Sequence, residues 1–547
     1  MPYTAFPTRV DGVDSNHASD VDVLNTALAT ATQGRYYPQE HGAVGNGIAD
    51  DGGALFSTDA TNNGTGVSYL PAGTYALASS RTLSHALEVP AGTLLQSASG
   101  TTLILNGYVD AGPYQIFSGP GTAKCGVGSV KETFAAWWGV KADNSTDQTA
   151  AMQAALNGTP AGATCRLLDS GVGYRFTGNL TIPDHVTLAC REGAPPRLAT
   201  DTGCQLQPTA GAGSATGTPF ITIGNAAKLK GVSIFHPNQT NTNPPILYPY
   251  TIAGVSTSGA GLCIEDVSLL NSYQGIDLVN HGAFTLKGRL NLNCASIGIN
   301  IDQDDDFAFI DMVEFYPFWT NTVSDGWGLY QGANLIAVQV ARADALDLGR
   351  IGVFNADIAL KLTSSSYGSS YGRIGSLMCD TVSTAIYMDA VADIGWDIGT
   401  IQHIGGGNTA AHLYGIKVMG GVKGSQLGGG LRFHGGVIRG IGNIAHVYLD
   451  AAVGDARFTF SNTVLGGANA DPPLIATIQD HSTTATVVVD DSCLWVGAYE
   501  YHVDLSGIAA ASTPPLSFGG LTRGTPRINN PNAIAIARNA LVAGLNA

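Results

Sequence analysis

The sequence predicts an all-β protein built as a parallel β-helix, in which short strands stack coil upon coil along one axis. Three observations lead to this prediction. The composition favours strands and tight turns, with 71 glycines among 547 residues and only 12% charged residues. A pair of apolar residues recurs at coil-length intervals through the middle of the chain. A glycine-rich unit also occurs twice near its beginning.

The recurrent apolar pair usually follows a small residue, as in GIDL at Ile276, GINI at Ile299 and AIYM at Ile386. One residue separates its two members, so both point inward and the residue between them points outward. The predicted inner column contains Ile276, Ile299, Leu329, Ile358, Ile386, Ile416 and Val447, in steps of 23 to 31 residues. Such steps suit a coil of three short strands with their turns. A sandwich or propeller would not hold this register through so many coils.

The duplicated unit begins at Gly42 and again at Gly139. GAVGNGIADD aligns with GVKADNSTDQ, which places Asp50 over Asp147. Two further blocks follow in the same order: YLPAGTYAL over LLDSGVGYRF, and LEVPAGTLL over LTIPDHVTL. Each copy predicts a turn, a short helix with an aspartate at its N-cap, and two or three short strands.

These motifs resemble the opening of the pectate-lyase-like superfamily domain of bacteriophage tailspikes. The resemblance covers residues 40–95 closely and 138–190 loosely, where Leu168-Asp169 replaces the Leu-Pro of the family. It implies a right-handed single-stranded parallel β-helix with N-terminal capping units and a small C-terminal cap or trimerisation region. It also implies a homotrimer in the virion, exposed to the extracellular medium after synthesis in the host cytoplasm.

The predicted organisation has five parts. They are an arm for attachment to phage tail or baseplate proteins (1–36), a first capping unit (37–135), a second, duplicated unit (136–200), the parallel β-helix (201–500) and a C-terminal cap and oligomerisation tail (501–547).

Net charge, the hydropathy of segments and the cysteine spacing argue against several other classes of protein. A net charge of −16 argues against nucleic acid, which requires a basic face. No run is long and apolar enough for membrane insertion, and the first residues do not read as a secretory signal. The eight cysteines contain no Cys-x-x-Cys pair, so we expect buried thiols. No metal or other cofactor is expected.

The segment DQDDDFAFIDMVEFYPFWTNTVSDGWG, residues 302–328, is the candidate glycan site. Aromatic rings stack on sugar rings and paired carboxyl groups cleave glycosidic bonds, so this mixture suits carbohydrate chemistry. Pro317 should make YPFW leave the wall as a loop. The candidate binding aromatics are Tyr316, Trp319, Trp327 and the outward-facing Tyr330. The alternative is an aromatic cluster that fills the core beside solvated acids.

Coil geometry selects the candidate catalytic acids. Carboxylates at one position of adjacent coils lie about 4.8 Å apart, close to the separation in a retaining glycosidase. Glu314 and Asp344 differ by 30 residues, near the local coil length, and form the predicted pair, with Asp325 in reserve. The alternative is two unrelated surface carboxylates. Lyase chemistry is a further possibility, although the calcium-and-arginine motif of lyases with this fold is not found.

Two GRIG motifs and a WDIG motif predict a second stack, in which Arg350, Arg373 and Asp397 occupy consecutive coils. The arginines could bind an acidic sugar. Alternatively, Arg373 and Asp397 form a surface ion pair that relieves repulsion between the arginines.

The predicted function is that of a phage tailspike, which binds and depolymerises a bacterial capsule or lipopolysaccharide by glycoside hydrolysis. A spike that only binds its glycan and a polysaccharide lyase of the same fold are the alternatives. A free secreted enzyme is disfavoured because no signal sequence is found.

Overall fold

The computed structural model describes most of the chain from residue 34 onward. The described ranges are 34–192, 197–255, 261–390, 394–404, 414–419, 430–439, 445–450, 457–465, 476–480, 486–490, 493–495, 501–504, 516–518, 528–529 and 537–538. The predicted arm, except its last three residues, lies outside these ranges. So does the predicted C-terminal tail, apart from short strands. Among the described residues, no helix is long and apolar enough to cross a membrane.

The chain divides into two compact units, the first formed by residues 1–130 and 137–139 and the second by 131–136 and 140–547. In the first unit a 3-10 helix at Pro38–His41 and helix α1 (Gly52–Asn62) accompany eleven strands. The strands are β1 (Arg35–Tyr36), β2 (Asn46–Asp50), β3 (Val67–Tyr69), β4 (Gly73–Leu77), β5 (Arg81–Leu83), β6 (Leu87–Glu88), β7 (Thr93–Ser97), β8 (Thr102–Leu105), β9 (Val109–Asp110), β10 (Phe117–Ser118) and β11 (Thr122–Cys125). They form three parallel sheets, β1-β3-β6-β9, β2-β4-β7-β10 and β5-β8-β11.

The second unit contains helices α2 (Thr149–Gly158) and α3 (Gly326–Asn334) and a long succession of strands; a 3-10 helix lies at Ala135–Trp138. As far as the outer coils of the candidate site the strands are β12 (Glu132–Phe134), β13 (Thr164–Arg166), β14 (Tyr174–Phe176), β15 (Leu180–Ile182), β16 (Thr187–Ala189), β17 (Gln205–Pro208), β18 (Ile221–Ile223), β19 (Lys228–Lys230), β20 (Ser233–Ile234), β21 (Tyr250–Gly254), β22 (Cys263–Glu265), β23 (Ser268–Ser272), β24 (Gln274–Val279), β25 (Thr285–Cys294), β26 (Ile297–Asp302), β27 (Phe309–Phe315), β28 (Ile336–Val340), β29 (Leu346–Leu362), β30 (Ser364–Ser365), β31 (Gly368–Ser369) and β32 (Gly372–Met388).

The remaining strands are β33 (Trp396–Ile404), β34 (Tyr414–Val418), β35 (Gly430–Phe433), β36 (Gly436–Arg439), β37 (Ala445–Leu449), β38 (Arg457–Phe460), β39 (Thr463–Leu465), β40 (Ala476–Asp480), β41 (Thr486–Val489), β42 (Leu494–Trp495), β43 (Tyr501–Asp504), β44 (Leu516–Phe518), β45 (Ile528–Asn529) and β46 (Ala537–Arg538). Apart from the β30–β31 hairpin, every pairing between these strands is parallel.

Three walls result from this pairing, since each coil contributes one segment to each wall. The first wall runs β12-β13-β16-β19-β22-β25-β27-β29-β32-β33-β35-β38-β41-β44-β46. The second runs β14-β17-β20-β23-β25-β27-β29-β32-β33-β36-β39-β42, and the third β15-β18-β21-β24-β26-β28-β29-β32-β34-β37-β40-β43-β45. The long strands β29 and β32 each pass through all three walls. The parallel β-helix predicted from the sequence is confirmed by this topology.

The interior of the third wall contains the predicted apolar column, with two corrections. Ile276, Ile299, Ile386, Ile416 and Val447 are aligned and fully buried. The two coils between Ile299 and Ile386 instead contribute Val338 and Leu360. Leu329 lies on α3 and is 37% exposed, and Ile358 lies two residues before Leu360. The helix lengthens one coil and the next is shorter, so an assumption of even spacing selected the wrong residues.

The two copies of the duplicated unit use the same hydrogen bonds. The Asp50 carboxylate accepts the N–H of Gly52 and of Ala78, and the aligned Asp147 accepts the N–H of Thr149 and of Thr177. In each copy the aspartate therefore joins the start of a helix to the end of the following strand. The next residue accepts from the preceding glycine-rich turn: Asp51 from Val44 N–H, and Gln148 from Lys141 N–H.

The expectation of eight buried thiols is wrong for two of them. Cys190 and Cys204 form a disulfide that closes a loop with a sequence separation of 14. The other six are free, and all but the half-buried Cys263 are buried. The disulfide closes the loop that carries Arg197, a residue of the candidate site.

Candidate functional site

The segment that combines acidic and aromatic residues does not form a single loop. Strand β27 passes through the first two walls, residues 316–325 form a loop, and α3 precedes the return to the third wall at β28. The wall ends at Phe315, directly before the Tyr-Pro step, because proline cannot donate to the ladder. The predicted site residues are therefore divided among a wall, a loop and a helix.

Glu314 faces outward from the second wall and is held by two arginines. Arg197 and Arg289 both donate to its Oε2 atom, at 2.9 and 2.5 Å. The Glu314 side chain is 31% exposed. Its neighbour in the following coil is Gly352, which has no side chain. Glu314 is thus an ion-paired surface carboxylate with open space beside it.

The predicted pairing of Glu314 with Asp344 is wrong. Strand register places Gly352 beside Glu314, whereas Asp344 lies in the turn after β28. There the Asp344 N–H donates to the Asp304 carbonyl at 3.1 Å, and Arg342 forms an ion pair with the Asp344 carboxylate. The coil that contains α3 is longer than the assumed 30 residues, so the step from Glu314 passes beyond Asp344.

Asp304 is the acid that the structure places beside Asp344. Its side chain is fully buried, and among the described residues neither carboxyl oxygen has a hydrogen-bond partner of ordinary geometry. Burial raises the pKa of Asp304 to about 7; the backbone N–H of Asp306 partly offsets this, and the negative charges of Asp305, Asp306 and Asp344 add to it. Asp304 therefore retains its proton at pH values where an ordinary aspartate is ionised.

Asp325 caps α3. Its Oδ1 accepts the Gly328 N–H at 2.7 Å, and its Oδ2 accepts the Asn241 side-chain amide at 3.0 Å. Such N-caps stabilise helices by about 1 kcal/mol. These bonds explain the position of Asp325 without a catalytic role.

The aromatic residues around α3 mainly fill space. Trp327 is fully buried and its Nε1 donates to Asn293 Oδ1 at 2.8 Å, so it cannot serve as an exposed stacking platform. The Trp319 ring packs edge-on against Trp327, with centroids 5.3 Å apart. Tyr330 lies on α3 rather than in an outward strand column, with its hydroxyl 3.3 Å from that of Tyr273. For Trp327 the structure contradicts the binding prediction and supports the alternative of a core-filling cluster.

Tyr316 lies at the edge of the second wall and is half-buried. Its ring is 5.2 Å from that of Phe354 and 5.4 Å from that of Phe318, measured between centroids. The Arg197 guanidinium lies over Phe318 at 4.9 Å. Tyr316 is thus the predicted aromatic that lies in the same cluster as Glu314.

Arg350 and Arg373 do not share a column, contrary to the prediction. Arg373 aligns with Asp347 and Asp397 on the first wall, whereas Arg350 aligns with Met312 and Ser376 on the second. The first-wall column continues to Arg432 and alternates in sign, with Arg373–Asp347 at 2.9 Å and Arg432–Asp397 at 2.6 Å. Arg373 thus belongs to a ladder of surface ion pairs, but its ion-pair partner is Asp347 and not the Asp397 of the alternative interpretation, because Arg432 pairs with Asp397.

Sequence reasoning missed Arg197, Arg289, Gly352 and Phe354. Arg289 precedes Glu314 by one coil, so register could have identified it. Arg197 comes from the disulfide-closed loop, several coils away, and no local pattern indicates it. Among the described residues, no three His, Cys, Asp or Glu side chains are placed to hold a metal ion.

No protein-family model and no curated protein matches this sequence. Three solved structures are similar in fold. The Dettilon tailspike protein is 11% identical, with a TM-score of 0.32, and the match covers 75% of this chain and 69% of that one. The A-module of the mannuronan C-5 epimerase AlgE6 from Azotobacter vinelandii is 12% identical, with a TM-score of 0.27 and coverage of 92% and 99%. The Streptococcus pneumoniae surface protein and adhesin PfbA is 10% identical, with a TM-score of 0.26 and coverage of 92% and 99%.

Proposed function

We propose that this chain is the β-helix body of a phage tailspike and binds a bacterial surface polysaccharide on the outer face of its second wall. One observation carries the proposal. Around Glu314 the wall combines a carboxylate, guanidinium groups and half-buried aromatic rings on a rigid parallel ladder, in a chain with few charges overall. Such a mixture suits sugars, whose rings present apolar faces and hydroxyl edges.

A panel of purified capsular polysaccharides and lipopolysaccharides tests this function. We expect at least one glycan to bind, and Arg289→Met to weaken that binding at least tenfold, because the variant removes one of the two clamps on Glu314. Arg373→Met is the matched control, since it removes an exposed arginine from the first wall. Absence of binding across a panel that includes the host's own glycans would overturn the proposal.

Hydrolysis of the bound glycan is the second candidate function. The observation in its favour is the backbone hydrogen bond from the Asp344 N–H to the Asp304 carbonyl, which brings the two acidic residues together. A carboxyl group with a raised pKa beside a second carboxyl group is the arrangement of a glycosidase acid and its partner. Asp304 is enclosed, so the turn at 303–307 would have to open for a substrate.

The cleavage experiment measures new reducing ends, and unsaturated sugars as the product of a lyase. We expect Asp344→Asn and Asp304→Asn each to lower turnover by orders of magnitude while binding persists, since the ionisable group itself is required. Glu314→Gln should weaken binding instead. If the wild type binds its glycan without cleaving it, the chain is a binding spike only.

The last part of the proposal concerns assembly. The chain forms a homotrimer in the virion and attaches to phage tail or baseplate proteins through residues 1–36. The support is the resemblance of the duplicated motif to tailspike domains. Light scattering at micromolar concentration should give three times the chain mass of 56.3 kDa. A monomeric mass would contradict the trimer and leave the glycan-binding proposal open.

A further inference from the structure

The second wall has a gap in its outward side chains at Gly352. Residues 350, 352 and 354 of β29 point outward, between the buried Ile351 and Val353. A Cβ atom built on Gly352 would meet only the Val313 carbonyl oxygen, at 3.9 Å, so the space above it is open. The gap is thus a notch in the wall with backbone as its floor.

Four side chains surround this notch. Glu314 lies on the preceding strand and Met378 on the following one, while Arg350 and Phe354 flank Gly352 along β29. Neighbouring strands are about 4.8 Å apart and residues rise about 3.3 Å along a strand. The notch therefore measures roughly 10 Å between the two flanking strands and roughly 13 Å along β29 from Arg350 to Phe354. These dimensions are about those of one sugar ring with its substituents.

Exposure increases across the notch. Asn291, on the far side of Glu314, is fully buried and accepts a hydrogen bond from Arg289, whereas Met378 is 52% exposed. Phe354 is half-buried, with its ring centroid 5.2 Å from that of Tyr316. The notch thus opens to solvent on the Met378 side, with the aromatic pair of Phe354 and Tyr316 at one end.

The charges around the notch favour an anion at the other end. Arg350 is exposed, and it forms no hydrogen bond or ion pair with any residue that the structure describes. Arg197 and Arg289 share the single carboxylate of Glu314, which leaves one positive charge in excess. Asp380, next to Phe354 on the following strand, places an acidic residue on the aromatic side. A guanidinium group without a partner binds carboxylates with two parallel hydrogen bonds.

We infer that the notch over Gly352 is a subsite for one acidic sugar residue of the polysaccharide, with its carboxylate on Arg350 and its apolar face toward Phe354. This inference rests on the proposed glycan-binding function and specifies the substrate class as a glycan that contains a uronic or sialic acid. Gly352 creates the space, Arg350 provides the charge, and Phe354 with Tyr316 provides the stacking surface.

The test uses single sugars with the full-length protein, so that it does not depend on identifying the polysaccharide. The probes are the methyl glycosides of glucuronic, galacturonic and N-acetylneuraminic acid, with methyl glucoside and methyl galactoside as neutral counterparts. Saturation-transfer NMR measures their binding. We expect at least one acidic glycoside to bind at least tenfold more tightly than either neutral one.

Two variants locate the subsite. Gly352→Phe should abolish binding while the melting temperature is retained, because the new side chain has room and the backbone at Gly352 is extended strand. Arg350→Gln should weaken acidic glycosides about tenfold and neutral ones little. Thr222→Phe, at an outward position of β18 on the third wall, is the matched control for added bulk.

Three results would overturn the inference: equal binding of acidic and neutral glycosides, full binding by Gly352→Phe, or no binding by any of the five probes. None of these results contradicts the proposed glycan-binding function, which the polysaccharide panel tests separately. Conversely, a panel in which only neutral polysaccharides bind would preserve glycan binding and exclude the acidic subsite.

Discussion

Glu314 and Asp304 lie near opposite ends of the same stretch of chain around β27, but the fold places their carboxyl groups in different environments. Glu314 remains partly exposed and has two guanidinium partners, whereas Asp304 is fully buried and its carboxyl oxygens have none among the described residues. Ion pairs replace the hydration that a carboxylate loses, but burial alone favours its neutral form. Position within the coil, rather than residue type, thus determines whether a carboxyl group is stabilised as an anion or kept protonated.

The largest expected effect on stability comes from a substitution of Asp304. Its pKa of about 7 in the folded protein lies above the ordinary value of 3.8. The protonated form is therefore compatible with folding at low pH, and stability is lost as the pH rises from about 4 to about 7. Because a tenfold change in an ionisation constant corresponds to about 1.4 kcal/mol, Asp304→Asn should stabilise the protein by up to about 4 kcal/mol at pH 8 and by almost nothing at pH 3.5.

Melting temperatures of the wild type and of Asp304→Asn are measured between pH 3.5 and 8. The difference between the two proteins at each pH reports the effect of Asp304. Burial lowers the pKa of His236 to about 3, of His403 to about 4 and of His446 to about 3. These histidines favour folding at higher pH, but they are present in both proteins and cancel in the difference. A difference that does not depend on pH would mean that Asp304 is ionised in the fold.

The second-largest expected effect comes from removal of the disulfide, and it is confined to the surroundings of Glu314. Cys190→Ser with Cys204→Ser opens the loop that carries Arg197, and a closed loop of this length contributes about 3 kcal/mol. We expect the melting temperature to fall and protease cleavage within 191–203 to accelerate, while the pH-dependent effect of Asp304→Asn persists. Cys263→Ser, at a half-buried free thiol, is the control. Unchanged protease resistance of the loop would show that the disulfide does not position Arg197.

Glu314→Gln makes the same chemical change as Asp304→Asn and should have the opposite sign. It removes the negative partner of two guanidinium groups, and partly exposed ion pairs of this kind contribute about 1 kcal/mol. The melting temperature should therefore fall slightly. If the variant is instead more stable, the two arginines do not compensate Glu314 and the contrast with Asp304 disappears.

The sequence predicted the coils well because burial repeats along them. Ile276, Ile299 and Ile386 align as expected, since a stacked ladder forces inward residues into columns. Prediction failed where a coil changes length: α3 displaces Leu329 from the column and separates Glu314 from Asp344. A local motif cannot report an insertion that is accommodated outside the wall.

The candidate site was harder to predict because its members come from distant parts of the chain. Trp327 and Tyr316 are both aromatic residues of one segment, yet α3 buries the first and the wall edge leaves the second half-exposed. Arg197 reaches Glu314 from a sequence distance of 117 residues. Gly352 is informative only when its neighbours on three strands are known.

The smallest expected effect is the salt dependence that separates the two carboxyl groups. Raising sodium chloride from 0.05 to 1 M shortens the Debye length to about 3 Å, which screens partly exposed charges much more than buried ones. The destabilisation by Glu314→Gln should therefore shrink by roughly half, about 0.5 kcal/mol, because it depends on ion pairs at the surface. The stabilisation by Asp304→Asn at pH 8 arises mainly from lost hydration and should change less. Paired melting curves at the two salt concentrations measure both differences in one experiment. Equal salt dependence of the two variants would show that Asp304 is disfavoured mainly by its acidic neighbours, and the contrast would then be one of charge rather than of burial.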